Sequence, residues 1–376
     1  TALLPAVTRT EDETTLTLSG RDFRLTFDKT TGYISSYVYD GQTLLTQGPT
    51  PNYWRAQMDS DRQNSEWRSA GRTAELQSLS CTLGVGQTTV DVVLALPDAG
   101  RSVQRYRYTV YGTGEIHVEA TLTPDAATGE LLKYGAELTL PSAFEQVRFY
   151  GEGPAGCYTD RRRGAQVGLF STTVSDSFHP FVRPQTSGNH TDVRYIALER
   201  ADGGIGLAVV GETPLEASAL HYRVSDYAGC AHPYQMPRTD YTILNVDMVS
   251  CGLGCVLGPS AADEYRLKAD HAYTYAYTIL PYHTETEDVM ALSKQWRAAT
   301  AEPSVQEAVR AGDVDVNGQV DSSDARLVLQ SAVGKIALDA AQRTVADVNG
   351  DETVDSSDAR LILQRSVGKL EQFPIE

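Results

Sequence analysis

The strongest chemistry in this 376-residue sequence sits in two short acidic stretches. Asp313-Val-Asp-Val-Asn-Gly-Gln-Val-Asp-Ser-Ser-Asp324 recurs 34 residues later (347 − 313) as Asp347-Val-Asn-Gly-Asp-Glu-Thr-Val-Asp-Ser-Ser-Asp358, and each copy leads into Ala-Arg-Leu-x-Leu-Gln. A twelve-residue loop with oxygen ligands at positions 1, 3, 5, 9 and 12 and a backbone carbonyl at 7 can surround one hard cation, whereas the same carboxylates without one would repel each other. The first loop offers Asp313, Asp315, Asn317, the carbonyl of Gln319, Asp321 through a water, and Asp324. The second offers Asp347, Asn349, Asp351, the carbonyl of Thr353, Asp355 through a water, and Asp358. Calcium takes about six to eight such oxygens, so two calcium ions are expected. Gly318 supplies the sharp turn at position 6; the second loop has Glu352 there and is expected to bind more weakly. In so small a unit, metal binding should be coupled to folding.

After each loop the spacing predicts a helix. On the first, Ala325, Val328, Leu329, Ala332 and Ile336 form an apolar stripe able to bury against its twin. Position 12 is aspartate where an EF-hand has glutamate, and no full helical pattern precedes either loop. Both features resemble the type I dockerins of cellulosome-type systems. That resemblance implies a cohesin module on a scaffoldin as partner, an extracellular multi-enzyme complex as location, and a cohesin-facing surface. The surface comprises Ser322, Ser323, Arg326, Leu327, Gln330 and Lys335, with counterparts Ser356, Ser357, Arg360, Leu361, Gln364 and Lys369. Near-duplication implies that either helix could bind after a half-turn of the module.

The elements upstream are of another kind. From Thr1 to about Tyr282 short alternating runs are broken by turn dipeptides, the pattern of antiparallel strands. Phe23, Leu25 and Phe27 alternate with polar residues, and Thr31-Gly32 and Asp40-Gly41 punctuate as hairpin turns. The expected class is mainly β, a large antiparallel sandwich at residues 1–297, then an alanine-rich linker at 298–312 and a small helical module at 313–376. Twenty tyrosines against eight phenylalanines suit half-buried strands, with most rings structural. The five cysteines are an odd, scattered count, so buried free thiols are expected instead of a disulfide framework.

Lysine and arginine number 32 against 49 acids, a net charge of −17 that repels nucleic acid and anionic membrane and suits cation binding. No stretch approaches the roughly 20 apolar residues that span a bilayer. The start at Thr1 lacks a basic, apolar, small-residue signal, so the sequence reads as a piece trimmed from something larger.

Several strings resemble the C-terminal sandwich of the large β-galactosidases of glycoside hydrolase family 2, the domain that is a separate small subunit in heterodimeric members. They are Phe23-Arg-Leu-Thr-Phe-Asp-Lys-Thr-Thr-Gly32, Asn52-Tyr-Trp-Arg-Ala56, Gly151-Glu-Gly-Pro154 with Tyr158-Thr-Asp-Arg161, His179-Pro-Phe-Val-Arg-Pro-Gln185, Asn189-His-Thr-Asp-Val-Arg194, Ala231-His232, and Leu244-Asn-Val-Asp247 with Gly252-Leu-Gly254. The resemblance implies a galactose-mutarotase-like supersandwich that sits beside a catalytic barrel and meets carbohydrate indirectly, by lending loops to the active-site rim. Residues it places toward sugar are Arg55, Asp59, Asp61, His179, Arg194, His232 and Asp247. In the family both hydrolytic carboxylates lie on the barrel, whose alternating strands and helices are not found here. The sequence departs from the family at Arg55-Ala-Gln-Met-Asp-Ser-Asp61, at Gly156-Cys157, and at Cys255-Val-Leu-Gly-Pro259, where the sugar-meeting tryptophan is missing. Either the parent handles a different substrate or its rim uses other loops.

The expected function is therefore the C-terminal portion of a secreted glycoside hydrolase, an accessory sandwich plus a calcium-dependent dockerin. Two other readings stay open. One is a stand-alone sugar-binding module; the other is a mutarotase-like enzyme using His179 or His232 with Asp247. The bland reading of both histidines is a ring satisfied by hydrogen bonds between sheets. The Arg161-Arg-Arg163 run could grip an acidic sugar, but a solvated loop or an ion pair is the plainer expectation.

Overall fold

The computed structural model describes residues 5–58, 61, 66–84, 86–227, 230–254, 261–301, 311–315, 320–336, 338, 340–351, 353–370 and 372–374. The chain separates into two compact units, Thr1–Ala298 and Ala299–Glu376.

In the first unit, seventeen strands among the described residues are joined by antiparallel pairing into a sandwich. The strand alternation survives as alternating burial: Phe23–Asp28, Gln87–Ala95, Val103–Tyr111 and Ile116–Thr123 each turn one face inward and one toward solvent. The Asp40-Gly41 turn takes φ of 45° and 75°, the double positive-φ geometry that a two-residue hairpin needs, which is why glycine follows the aspartate.

The four strands Lys133–Pro141, His190–Arg200, Ile205–Leu220 and Tyr241–Ser250 behave differently, being buried along most of their length on both faces. They therefore carry polar groups out of reach of solvent. Around them Tyr37, Tyr53, Tyr106, Tyr108, Tyr134 and Tyr277 are fully buried, and several rings meet edge-on or stacked, as in Tyr53–Trp67 at 5.3 Å and Tyr134–Tyr275 at 5.1 Å. Some hydroxyls find partners: that of Tyr53 donates to Gln104 at 2.9 Å and that of Tyr37 to the Gly114 carbonyl at 2.7 Å. The helix Val289–Ala301 begins in this unit, with Trp296 against Tyr111.

The second unit holds the helices Ser322–Ala332, Ala340–Ala346 and Ser356–Ser366. Its core is duplicated like the sequence: Val314, Ala325 and Val328 match Val348, Ala359 and Ile362, with Phe373 added. The helical stripe differs from its expected form. Ala325 and Val328 are buried and Ile336 is partly buried, but Leu329 is 41 % exposed and Ala332 is exposed, while Leu327 packs against the core. The two helices pack so that the facing line runs through 325 and 328 and passes 327 rather than 329. A helix also precedes the second loop, where no full pattern was expected, because Val345 and Ala346 reach the shared core.

Among the described cysteines all four are free; Cys157 is buried, whereas Cys81, Cys230 and Cys251 are only partly covered. Cys255 lies outside the described residues.

Candidate functional site

In the second unit, Asp313, Asp315 and Asp324 bring one carboxylate oxygen each to within 4.8 Å of one another. Asp324 is fully buried, and its two oxygens accept backbone N–H groups: Val314 at 2.7 Å, Asp315 at 3.1 Å and Asp321 at 2.9 Å. Asp358 repeats the arrangement with Val348 at 3.1 Å, Asn349 at 3.3 Å and Asp355 at 3.0 Å. Positions 9 and 12 are also the ends of a capping box. Asp321 and Asp355 each accept the N–H of the serine two residues on, at 2.6 Å, and so start the helices. The loop is thus nailed to the helix whose face follows it.

Burial pushes the Asp324 carboxyl upward against the pull of those N–H groups, and the neighbouring Asp315 pushes the same way. A cation among these oxygens relieves both costs, and hard, anionic oxygen donors suit calcium. In the second loop Gly350, at position 4, takes φ of 76°. Asp347 accepts the Gly350 N–H at 2.8 Å, and Asp351 that of Thr353 at 2.9 Å. Asn317, Gly318, Gln319 and Glu352 lie outside the described residues.

The repeated helices expose matching ridges. Ser322, Arg326, Leu329 and Val333 on one correspond to Ser356, Arg360, Leu363 and Val367 on the other, and the apolar members are 41 %, 67 %, 40 % and 65 % exposed. Lys335 and Lys369 are exposed beyond them, while Ser323, Leu327, Gln330, Ser357, Leu361 and Gln364 are half-buried. Leu329 was expected in the buried apolar stripe and is instead on this ridge, and Val333, Leu363 and Val367 were not among the expected partner-facing residues.

In the first unit, a cleft of about 900 Å³ opens between the strands Gln47–Asn52 and Lys133–Pro141, the helix Glu66–Ala70 and the segments around Arg183 and Arg223. Among the described residues its lining has one carboxylate, Glu137, which pairs with Arg223 at 3.3 Å. Asn52 in its wall donates to Asn245 at 3.2 Å, and behind lies a buried polar cluster. The Lys133 ammonium donates to Asp247 at 2.9 Å and Asn245 at 3.1 Å, and Asn189 donates to Glu216 at 2.8 Å. A small cavity of about 30 Å³, room for one water, touches Lys133, Asn245 and Asp247, and Asp247 Oδ1 has no hydrogen-bond partner. The signal for these groups was present as Lys, Glu, Asn and Asp at every second or fourth position of apolar strands, but alternation alone does not say that both faces are covered.

Desolvation raises the Asp247 carboxyl above its usual range despite Lys133. It also raises Glu216 from 4.5 to about 7, opposed by the Asn189 amide. A carboxyl that holds its proton more tightly when folded costs stability as pH rises from its unfolded value through its folded one. Glu216→Gln is therefore expected to stabilise the sandwich by about 2–3 kcal/mol at pH 8 and by little at pH 4.5. Urea unfolding followed by tryptophan emission checks this, since all three tryptophans lie in the first unit.

Of the sugar-facing set, Arg55 and Asp247 line the same small cavity, whereas Arg194, His179 and His232 do not. Arg55 and Asp61 form a buried ion pair, with Arg55 also donating to the carbonyls of Cys251 and Gly252. Asp247 faces Lys133. Arg194 pairs with Asp192 at 2.8 Å and lies over the Tyr150 ring. His179 and His232 are exposed, against Phe181 and Tyr234, so neither is the inter-sheet histidine expected; His190 and His221 are the buried ones. Loops of the sandwich carry the first two outward, while the others sit on or next to inner strands. The carboxylate of Asp247 bonds lysine and neither exposed histidine. Asp59 lies outside the described residues. In the basic run, Arg162 is tied to Glu152 at 2.7 Å and Arg161 to the Gly254 carbonyl.

Residues 19–279 match the family described as Beta galactosidase small chain, and residues 311–365 the one described as Dockerin type I domain. The sequence is 33 % identical over 285 residues to a beta-galactosidase of Priestia megaterium, covering 74 % of this chain and 27 % of that protein. It is 31 % identical over 275 residues to a beta-galactosidase of Halalkalibacterium halodurans, covering 70 % and 27 %. The chain thus spans about a quarter of the length of these relatives. Among solved structures, the galactose 1-epimerase of Lactobacillus acidophilus superposes with a TM-score of 0.43 at 8 % identity, covering 75 % of this chain and 99 % of that one.

Proposed function

From the premise that this chain belongs to the beta-galactosidase small-chain family and carries a type I dockerin, we propose that it is the scaffold-docking portion of a secreted β-galactosidase-like enzyme. The sandwich completes the carbohydrate site of a catalytic barrel, and the dockerin, loaded with two calcium ions, seats the enzyme on a cohesin of an extracellular, cellulosome-type scaffold. Calcium would be held by the carboxylates of Asp313, Asp315 and Asp324 and by their counterparts around Asp358. It supplies charge neutralisation, and the protein's own contribution is to fix Asp324 and Asp358 by backbone N–H groups so that each helix keeps its angle to its loop.

The observation that carries this reading is the pair of matching exposed ridges, each with a serine, an arginine and two solvent-facing apolar residues. An unpaired pair of apolar residues at helical spacing beside a cation marks a surface made for a partner. Two equivalent ridges permit two binding orientations.

Surface plasmon resonance on immobilised type I cohesins tests it. In calcium the chain is expected to bind at least one cohesin, with loss of binding in EGTA. Ser322→Ala, Ser323→Ala and Arg326→Ala together should change affinity by less than about threefold, whereas adding Ser356→Ala, Ser357→Ala and Arg360→Ala should cost over a hundredfold, above about 2.7 kcal/mol. Abolition by the first set alone would leave a single binding orientation, and silence toward every cohesin would remove the docking role.

A further inference from the structure

The cleft of the first unit has a charge opposite to that of the chain around it. The whole sequence has a net charge of −17, yet the described lining of the cleft holds Arg68, Arg72, Arg183 and Arg223 against Glu137 alone, four cations to one anion. Three separate segments supply them. Arg68 and Arg72 come from the short helix Glu66–Ala70 and the turn after it, Arg183 and Arg223 from two other stretches, so the convergence is a product of the fold. Arg223 is held in place by Glu137 and by the Thr139 hydroxyl at 2.8 Å. Arg68 and Arg72 are exposed and have no ionic partner among the described residues. Trp54 also lines the cleft, mostly buried in its wall.

Guanidinium groups match carboxylate and sulfate oxygens with paired hydrogen bonds, and a concave wall strengthens the attraction by keeping water back. A neutral saccharide would leave the Arg68 and Arg72 donors to solvent and gain nothing from the charge. A long polyanion would be opposed by the net negative charge of the chain, which favours a short charged unit within the cleft. We propose that this cleft binds a saccharide bearing carboxylate or sulfate groups. The proposal deepens the reading of the sandwich as a carbohydrate-site unit and rests on it.

Calorimetry with the full chain tests this, using trigalacturonate, an oligosaccharide of sulfated galactose, neutral galactotriose, and a DNA trinucleotide as a polyanion control. At low salt, one of the two anionic saccharides is expected to bind at least tenfold more tightly than galactotriose and than the trinucleotide, with affinity falling as salt rises. Which of the two binds identifies carboxylate or sulfate as the group recognised. Arg68→Ala with Arg72→Ala should weaken that binding at least tenfold while leaving the unfolding midpoint unchanged, since both side chains are exposed. Equal or better binding of galactotriose would overturn the anionic preference and leave the carbohydrate reading standing. Absence of binding by any saccharide would remove both, and equal binding of the trinucleotide would reduce the cleft to a non-specific anion patch. A double variant that binds like the wild type would also overturn the proposal.

Discussion

Addition of EGTA to the intact chain is expected to erase the helical signal of Ser322–Ala332 and Ser356–Ser366 while tryptophan emission stays fixed. The reason lies in how each helix begins. Asp324 and Asp358 are fully buried third residues of their helices, and three backbone N–H groups converge on each. With calcium present those carboxylates are neutralised from the loop side. Without it, Asp313, Asp315 and Asp324 hold anionic oxygens within 4.8 Å of one another, over a core of ten buried apolar residues among those described. A module that small cannot absorb the repulsion, so metal loss and unfolding coincide. The three tryptophans belong to the other unit and report only on it. Circular dichroism, with calcium titrated back and uptake counted by calorimetry, should show two ions and recovery of helix. Retention of full helicity in EGTA would sink the coupling.

Replacing Lys133 by methionine is expected to destabilise the sandwich by roughly 3–5 kcal/mol at pH 8. Its ammonium is the only cation bonded to Asp247 among the described residues, and the side chains of the pair are 6 % and 2 % exposed. Methionine fills much of the same volume but leaves a buried carboxylate with no counter-charge, next to Glu216. The carboxyl can escape by taking a proton. Burial already raises Asp247 with lysine present, and without lysine it rises further. A folded-state value above the unfolded one means that the penalty is complete at high pH and shrinks as pH falls toward the unfolded value near 4. Urea unfolding at pH 8 and pH 5, followed by tryptophan emission, should therefore give a large and then a smaller loss. A loss independent of pH would show that the lysine acts through packing alone.

The two units were legible to very different depths. In the dockerin, clustered carboxylates, caps and duplicated faces fall within twelve contiguous residues and the helix that follows, so spacing alone locates Asp313, Asp315 and Asp324 as one group. Local chemistry governs where local geometry does. Which way the helix turns is not local: Leu327 and Leu329 are both apolar, and only packing against the twin decided that 327 is inward and 329 outward.

In the sandwich the same division is sharper. Alternation, turn dipeptides and the Asp40-Gly41 hairpin were readable because strand period and turn sterics are properties of a few consecutive residues. The polar cluster was not, because Lys133 and Asp247 are more than a hundred positions apart and meet through the pairing of Lys133–Pro141 with Tyr241–Ser250. The sequence by itself determined the composition of each strand, the two acidic loops and the repeat. The tertiary structure alone decided which charges would face each other in low dielectric, that Arg55 and Asp61 would turn inward while His179 and His232 stayed outside, and that four arginines from three segments would share one cleft. Non-local pairing sets those distances, and coulombic and desolvation energies depend on distance and burial rather than on position along the chain.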